Sequence, residues 1–110
     1  MTRVQPPVRR PHVTREVEWQ GHPFTVTVGI DPKTGAPVDV FADRPKIDGM
    51  SATLCDACIV ISLAMQCGLS PAELAKSLGR VPVFTGEEGA TGPASPLGAI
   101  VEAIMAEVLQ

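Results

Sequence analysis

Cys55-Asp56-Ala57-Cys58 is the spacing in this 110-residue chain that could carry redox or metal chemistry. Two thiols three residues apart at the start of an apolar run sit where a helix dipole and free N–H groups lower a thiol pKa. A small thiol-redox protein is one reading of that pair. Zinc needs two further ligands, and Cys67, nine residues beyond Cys58, would stand about 13 Å further along a helix axis. One ion does not span that distance. His12 and His22 fall in a tail and a turn without paired spacing, and no strand leads directly into the motif as a thioredoxin-like site requires. The cysteines are therefore read as small buried hydrophobes, with Asp56 solvated. No catalytic residue, metal or cofactor is expected.

A second candidate is the stretch from Arg80 to Ala94, which lacks apolar periodicity and contains Gly86, Gly89 and Gly92. Long structureless loops in small domains usually bind something, cover a site or are mobile. The loop has no lysine of a phosphate-binding loop, and Glu87 and Glu88 repel phosphate. It does lead into Ser95-Pro96, the N-cap and first residue of a helix whose free N–H groups favour an anion. Arg80, Thr91, Gly92 and Ser95 are accordingly the candidate ligand- or partner-binding residues, with a nucleotide or a protein surface as what they would meet.

A third candidate is charge. The chain carries a net −3, but Met1 to Arg15 holds Arg3, Arg9, Arg10 and Arg15 with no acid, while the remainder has 5 basic against 12 acidic residues. With Pro6, Pro7 and Pro11, residues 1–12 read as a flexible, solvated basic arm, and deletion of Met1 to Pro11 is expected to leave stability nearly unchanged. A nucleic-acid or phage-type partner protein using this arm is the corresponding function. The chain has four aromatic residues and no tyrosine, which leaves few stacking platforms for single-stranded nucleic acid.

The elements that must position these residues follow from periodicity. The run Ser51 to Gly68 is the longest apolar segment: Leu54, Cys58, Ile61 and Met65 form one helical stripe, and Ala57, Ile59, Val60, Leu63, Ala64 and Cys67 fill most other faces. It is expected to be the central buried helix, with partners on most of its circumference, Ser51 as N-cap and Gly68 as terminator. Its length falls short of the ~20 apolar residues a bilayer needs, so no membrane is expected. Val13–Trp19 and Phe24–Ile30 alternate as strands around a turn at Gln20–Pro23, and Val38–Ala42 follows a turn at Asp31–Pro37. Ser70-Pro71-Ala72-Glu73 is a capping box opening a short helix, with Leu74 and Leu78 as core contacts, that packs back near the first. Leu97, Ile100, Val101, Ile104, Met105 and Val108 stripe a last helix whose other face carries Glu102 and Glu107.

The fold class is thus α+β: a three-stranded antiparallel meander packed on a central buried helix, plus two further helices, in one domain over residues 13–110. A content of 45% hydrophobic residues supports one modest core. Three cysteines without an apolar leader make no disulfide framework and point to a cytoplasmic protein.

The succession Phe24-Thr-Val-Thr-Val-Gly-Ile, Ala36-Pro37-Val-Asp-Val-Phe41, Cys58-Ile-Val-Ile-Ser-Leu-Ala-Met-Gln-Cys-Gly68-Leu-Ser-Pro-Ala-Glu73-Leu and Ala94-Ser-Pro-Leu-Gly-Ala-Ile100 resembles the TSCPD domain. Such domains are similar to the C-terminal extension of adenosylcobalamin-dependent ribonucleotide reductases and also occur free-standing. The family's Thr-Ser-Cys-Pro-Asp run is replaced here by Pro93-Ala94-Ser95-Pro96-Leu97, so no thiol or metal role of that cysteine carries over. The resemblance implies a non-catalytic accessory module linked to deoxyribonucleotide supply and DNA synthesis, acting through a ribonucleotide reductase or other protein partner, a nucleotide, or a second copy of the chain. It does not imply that this chain alone reduces ribonucleotides.

Overall fold

The computed structural model describes residues 2–45, 48–84 and 86–108. Met1 of the expected arm and residues 109–110 of the expected domain lie outside the described residues, as does the side chain of Val108. Eight elements follow in order: β1 His12–Trp19, β2 His22–Ile30, β3 Pro37–Asp43, α1 Gly49–Gln66, α2 Pro71–Ser77, β4 Arg80–Pro82, β5 Thr91–Pro93 and α3 Pro96–Val108. The three long strands form the expected antiparallel meander in the order β1-β2-β3.

Alternation makes this sheet one-sided. Phe24, Val26 and Val28 of β2 and Val40 and Ala42 of β3 are buried, with Val17 and Trp19 of β1 packed against them. The first turn is tighter than the sequence suggests. Trp19 pairs with His22, leaving only Gln20 and Gly21 as the loop, both at positive φ (48° and 81°). That is the backbone a two-residue hairpin demands, because its twist matches that of the strands. In β3 the register slips between Gly29 and Ile30, which pair with Asp39 and Pro37. Val38 is the extra residue, so it does not share the buried face of Val40 as alternation alone predicts.

The helices depart further from expectation. In α1 the stripe Leu54, Cys58, Ile61, Met65 is buried as predicted. The rest of its circumference is not covered: Ile59, Val60 and Leu63 are 54, 64 and 39% exposed. The central position belongs instead to α3, where Ile100, Val101 and Ile104 are fully buried with Ala99 and Ala103. That helix touches all three strands of the sheet, β5, α1 and α2, whereas α1 lies chiefly along β3. By length and composition alone α1 could cross a membrane. Its N-cap is Asp48, whose side chain accepts from Met50 N and Ser51 N, and Ser51 answers as the N3 member of the capping box. Ser51 therefore sits three residues inside the position first given to it. Gly68 ends the helix at positive φ as expected. The Ser70–Glu73 capping box of α2 forms as read, and Leu74 and Leu78 reach the core, but α2 packs mainly on α3.

Two segments expected to be unstructured are ordered. Arg80–Ala94 is not a bare loop: β4 and β5 pair as an antiparallel hairpin, Arg80 with Pro93, Val81 with Gly92 and Pro82 with Thr91. The segment expected as a free arm is laid on the body. Val4 N donates to Gln66 O at 2.9 Å, Ile30 N to Pro11 O at 2.9 Å, and Arg10 grips Asp39 with Nε at 3.1 Å and Nη2 at 2.9 Å.

Candidate functional site

The hairpin, β1 and α3 enclose an open groove of about 590 Å³, within the ~300–1,000 Å³ range of binding pockets. One wall is β1 from Arg15 to Trp19 with Gln20 of the turn, the other is the hairpin from Val81 to Phe84 with Gly92 and Pro93, and Ala99, Ala103 and Ala106 of α3 form the floor. Small side chains on the floor are what leave the space. At one end Trp19 Nε1 donates to the carbonyl of Pro93 at 3.0 Å, fastening the sheet to the hairpin, and the indole stacks on His22 with ring centroids 6.0 Å apart. Phe84 stands at the hairpin end of the groove, fully exposed, although a phenyl ring in water forgoes the burial that normally stabilises it.

The candidate residues read from the sequence converge beside this groove, in structural roles. Arg80 Nε donates to Thr91 Oγ1 at 2.9 Å and Nη2 to the Thr91 carbonyl at 2.8 Å, across the hairpin, while Nη1 meets Glu102 Oε1 of α3 at 2.8 Å. The guanidinium is a clamp between β4, β5 and α3, and a phosphate seeking it would compete with Glu102. Gly92 is buried where a Cβ would come within 2.9 Å of Val83 Cγ1. Ser95 Oγ accepts from Gly98 N at 3.3 Å, as an N-cap does. With Pro96 lacking an N–H and that of Gly98 taken, the start of α3 offers an anion little. On the sheet, Thr27 Oγ1 lies 3.1 Å from Thr14 Oγ1, and Asp39 is held by Arg10.

The thiols face different environments. Cys55 is exposed, Cys58 is buried and Cys67 is intermediate; all are free. Burial pushes the Cys58 thiol from its ordinary 9.0 up to about 11, with a smaller upward contribution from Cys55 against a downward one from the Ala42 backbone. This is the opposite of the lowered pKa a redox nucleophile needs. No group of three or more His, Cys, Asp or Glu side chains converges among the described residues. Of the N-terminal arginines, Arg3 Nε donates to Gln66 Oε1, Arg10 pairs with Asp39, and Arg15 of β1 reaches Glu107 at 3.3 Å.

Sequence reasoning missed the residues that build the groove, among them Glu16, Glu18, Trp19, Phe84 and the alanines of α3. It also gave no role to Ser62 and Gln66 of α1. Ser62 Oγ accepts from Val40 N at 3.0 Å and donates to Val40 O at 3.3 Å, and Gln66 Nε2 donates to Val38 O at 3.0 Å. These two side chains complete the outer edge of β3. The signal was present in their i, i+4 spacing, but its meaning depended on knowing that α1 runs beside a strand edge.

The family model of the TSCPD domain matches residues 2–108, and the chain belongs to that family. The match begins in the segment first taken for an arm, in keeping with the contacts that segment makes. No curated protein and no solved structure matches the chain.

Proposed function

We propose that this TSCPD domain is a non-catalytic accessory module of deoxyribonucleotide supply, docking on a ribonucleotide reductase or a protein associated with one through the groove between β1, the β4–β5 hairpin and α3. The observation that carries the reading is the family match over nearly the whole chain, which is consistent with a ribonucleotide-reductase-associated domain. The side-chain chemistry supports a binding role: Cys58 is buried with its pKa raised, and the conspicuous polar groups, Arg80 and Ser95, are spent on holding structure. The groove supplies exposed apolar surface in Phe84 and a mixed polar rim, the composition of a protein-contact site.

The test is capture of partners on the tagged protein from a lysate of its source, with mass spectrometry asking for a ribonucleotide reductase, alongside an assay of the purified chain with ribonucleotides and a dithiol. Recovery of a reductase, with no reduction by the chain alone, is expected. Turnover by the chain alone, or capture that never contains a reductase, would contradict the reading.

A further inference from the structure

The two edges of the main sheet are finished differently. An edge strand presents unpaired N–H and C=O groups that template another strand unless something covers them. At β3 the cover is α1, through Ser62 on both backbone groups of Val40 and Gln66 on the carbonyl of Val38. Because Val40 turns its groups to Ser62, its partner Val28 is bonded to Val13 of β1, and the alternation of an antiparallel ladder leaves Thr14, Glu16 and Glu18 with their backbone groups directed outward. No hydrogen bond reaches those groups among the described residues. The groove runs along this open edge.

We infer that the groove takes an extended basic segment of a protein partner by strand addition to β1. The inference rests on the reading of the groove as the docking surface and states what fits it. Main-chain bonds to Thr14, Glu16 and Glu18 supply the register, and alternate side chains of the guest point to opposite faces. On the inner face they meet the small floor of Ala99, Ala103 and Ala106, which has room for apolar groups. On the outer face they lie beside the exposed carboxylates of Glu16 and Glu18, which form no salt bridge among the described residues. Directly opposed like charges destabilise a strand pair and opposite charges favour it, so the guest alternates lysine or arginine with apolar residues. The chain's own basic segment is a poor guest, because Pro6, Pro7 and Pro11 lack the N–H groups a ladder uses.

The probe is an acetylated, amidated octapeptide alternating lysine and valine, compared with its glutamate–valine counterpart and with a lysine–valine peptide N-methylated at alternate amides. Binding is followed by fluorescence anisotropy and by amide chemical shifts of the protein. The wild type is expected to prefer the basic peptide by about tenfold, the scale of two cross-strand charge pairs, with shifts centred on Thr14, Glu16 and Glu18 and with binding lost on N-methylation. E16K/E18K should reverse the preference and E16Q/E18Q should abolish it; both positions are exposed, so the fold is retained. No binding of the basic peptide, an unchanged preference in E16K/E18K, or shifts centred on Ile59 and Leu63 of α1 would overturn strand addition. A reductase captured equally by wild type and E16K/E18K would also overturn it while leaving the accessory role standing. Peptide binding in the groove with no reductase captured would separate the two the other way.

Discussion

A cysteine pair three residues apart carries no chemistry until its surroundings are known, and here they divide it. Cys55 is exposed and Cys58 is buried at 2%. Alkylation at neutral pH, read by mass spectrometry, is expected to mark Cys55 and to spare Cys58 until the protein is unfolded; equal labelling of both in the native state would contradict the packing. The raised Cys58 pKa also sets a pH dependence. The folded state favours the neutral thiol, so its contribution to stability is complete below the ordinary 9.0 and is lost as pH rises through about 11. Denaturant midpoints should therefore fall between those limits, and Cys58→Ala should lessen the fall. The Leu54–Met65 stripe that holds Cys58 was legible because helical spacing alone decides which residues share a face. The partners of Ser62, Gln66 and Arg80 were not, since each lies 11 to 63 residues away in the chain.

Between elements, the main error of the sequence reading was to give the centre to the longest apolar run. Hydropathy reports what a segment is made of, and burial depends on how many elements close around it. On α1 only one stripe faces β3 and the core, while α3, though shorter, is reached by strands, hairpin and both other helices. Ile104→Ala is accordingly expected to cost about 2–5 kcal/mol, against at most about 0.5 kcal/mol for Val60→Ala on the exposed face of α1; urea midpoints compare them, and similar losses would restore α1 to the centre. The segment before β1 makes a second test. A Cβ on Gly29 would meet Asp39 Oδ1 at 1.9 Å and Arg10 Nε at 3.0 Å, so Gly29→Ala must displace the pair that pins this segment. Trypsin should then cut after Arg9 several-fold faster, as it should in Asp39→Ala; unchanged cleavage in both would show that the pair does not hold the segment.

At the scale of the whole molecule the strand meander, the capping box of α2 and the family resemblance were readable in the chain, because each rests on local pattern or on the order of blocks. The groove was not. Its walls come from residues 15–20, 81–84 and 92–93 and its floor from α3, and nothing in the first wall announces that β1 ends as an open edge while β3 is covered by α1. That asymmetry gives the domain one edge to offer and makes a binding role through β1 the central claim. Hydrogen exchange of the protein, alone and in complex with its captured partner, tests that claim most directly. Slowed exchange is expected at the amides of Thr14, Glu16 and Glu18 and along the β4–β5 hairpin, with the amides of α1 unchanged. Protection confined to α1 around Ile59, Val60 and Leu63, with β1 exchanging as in the free protein, would contradict it.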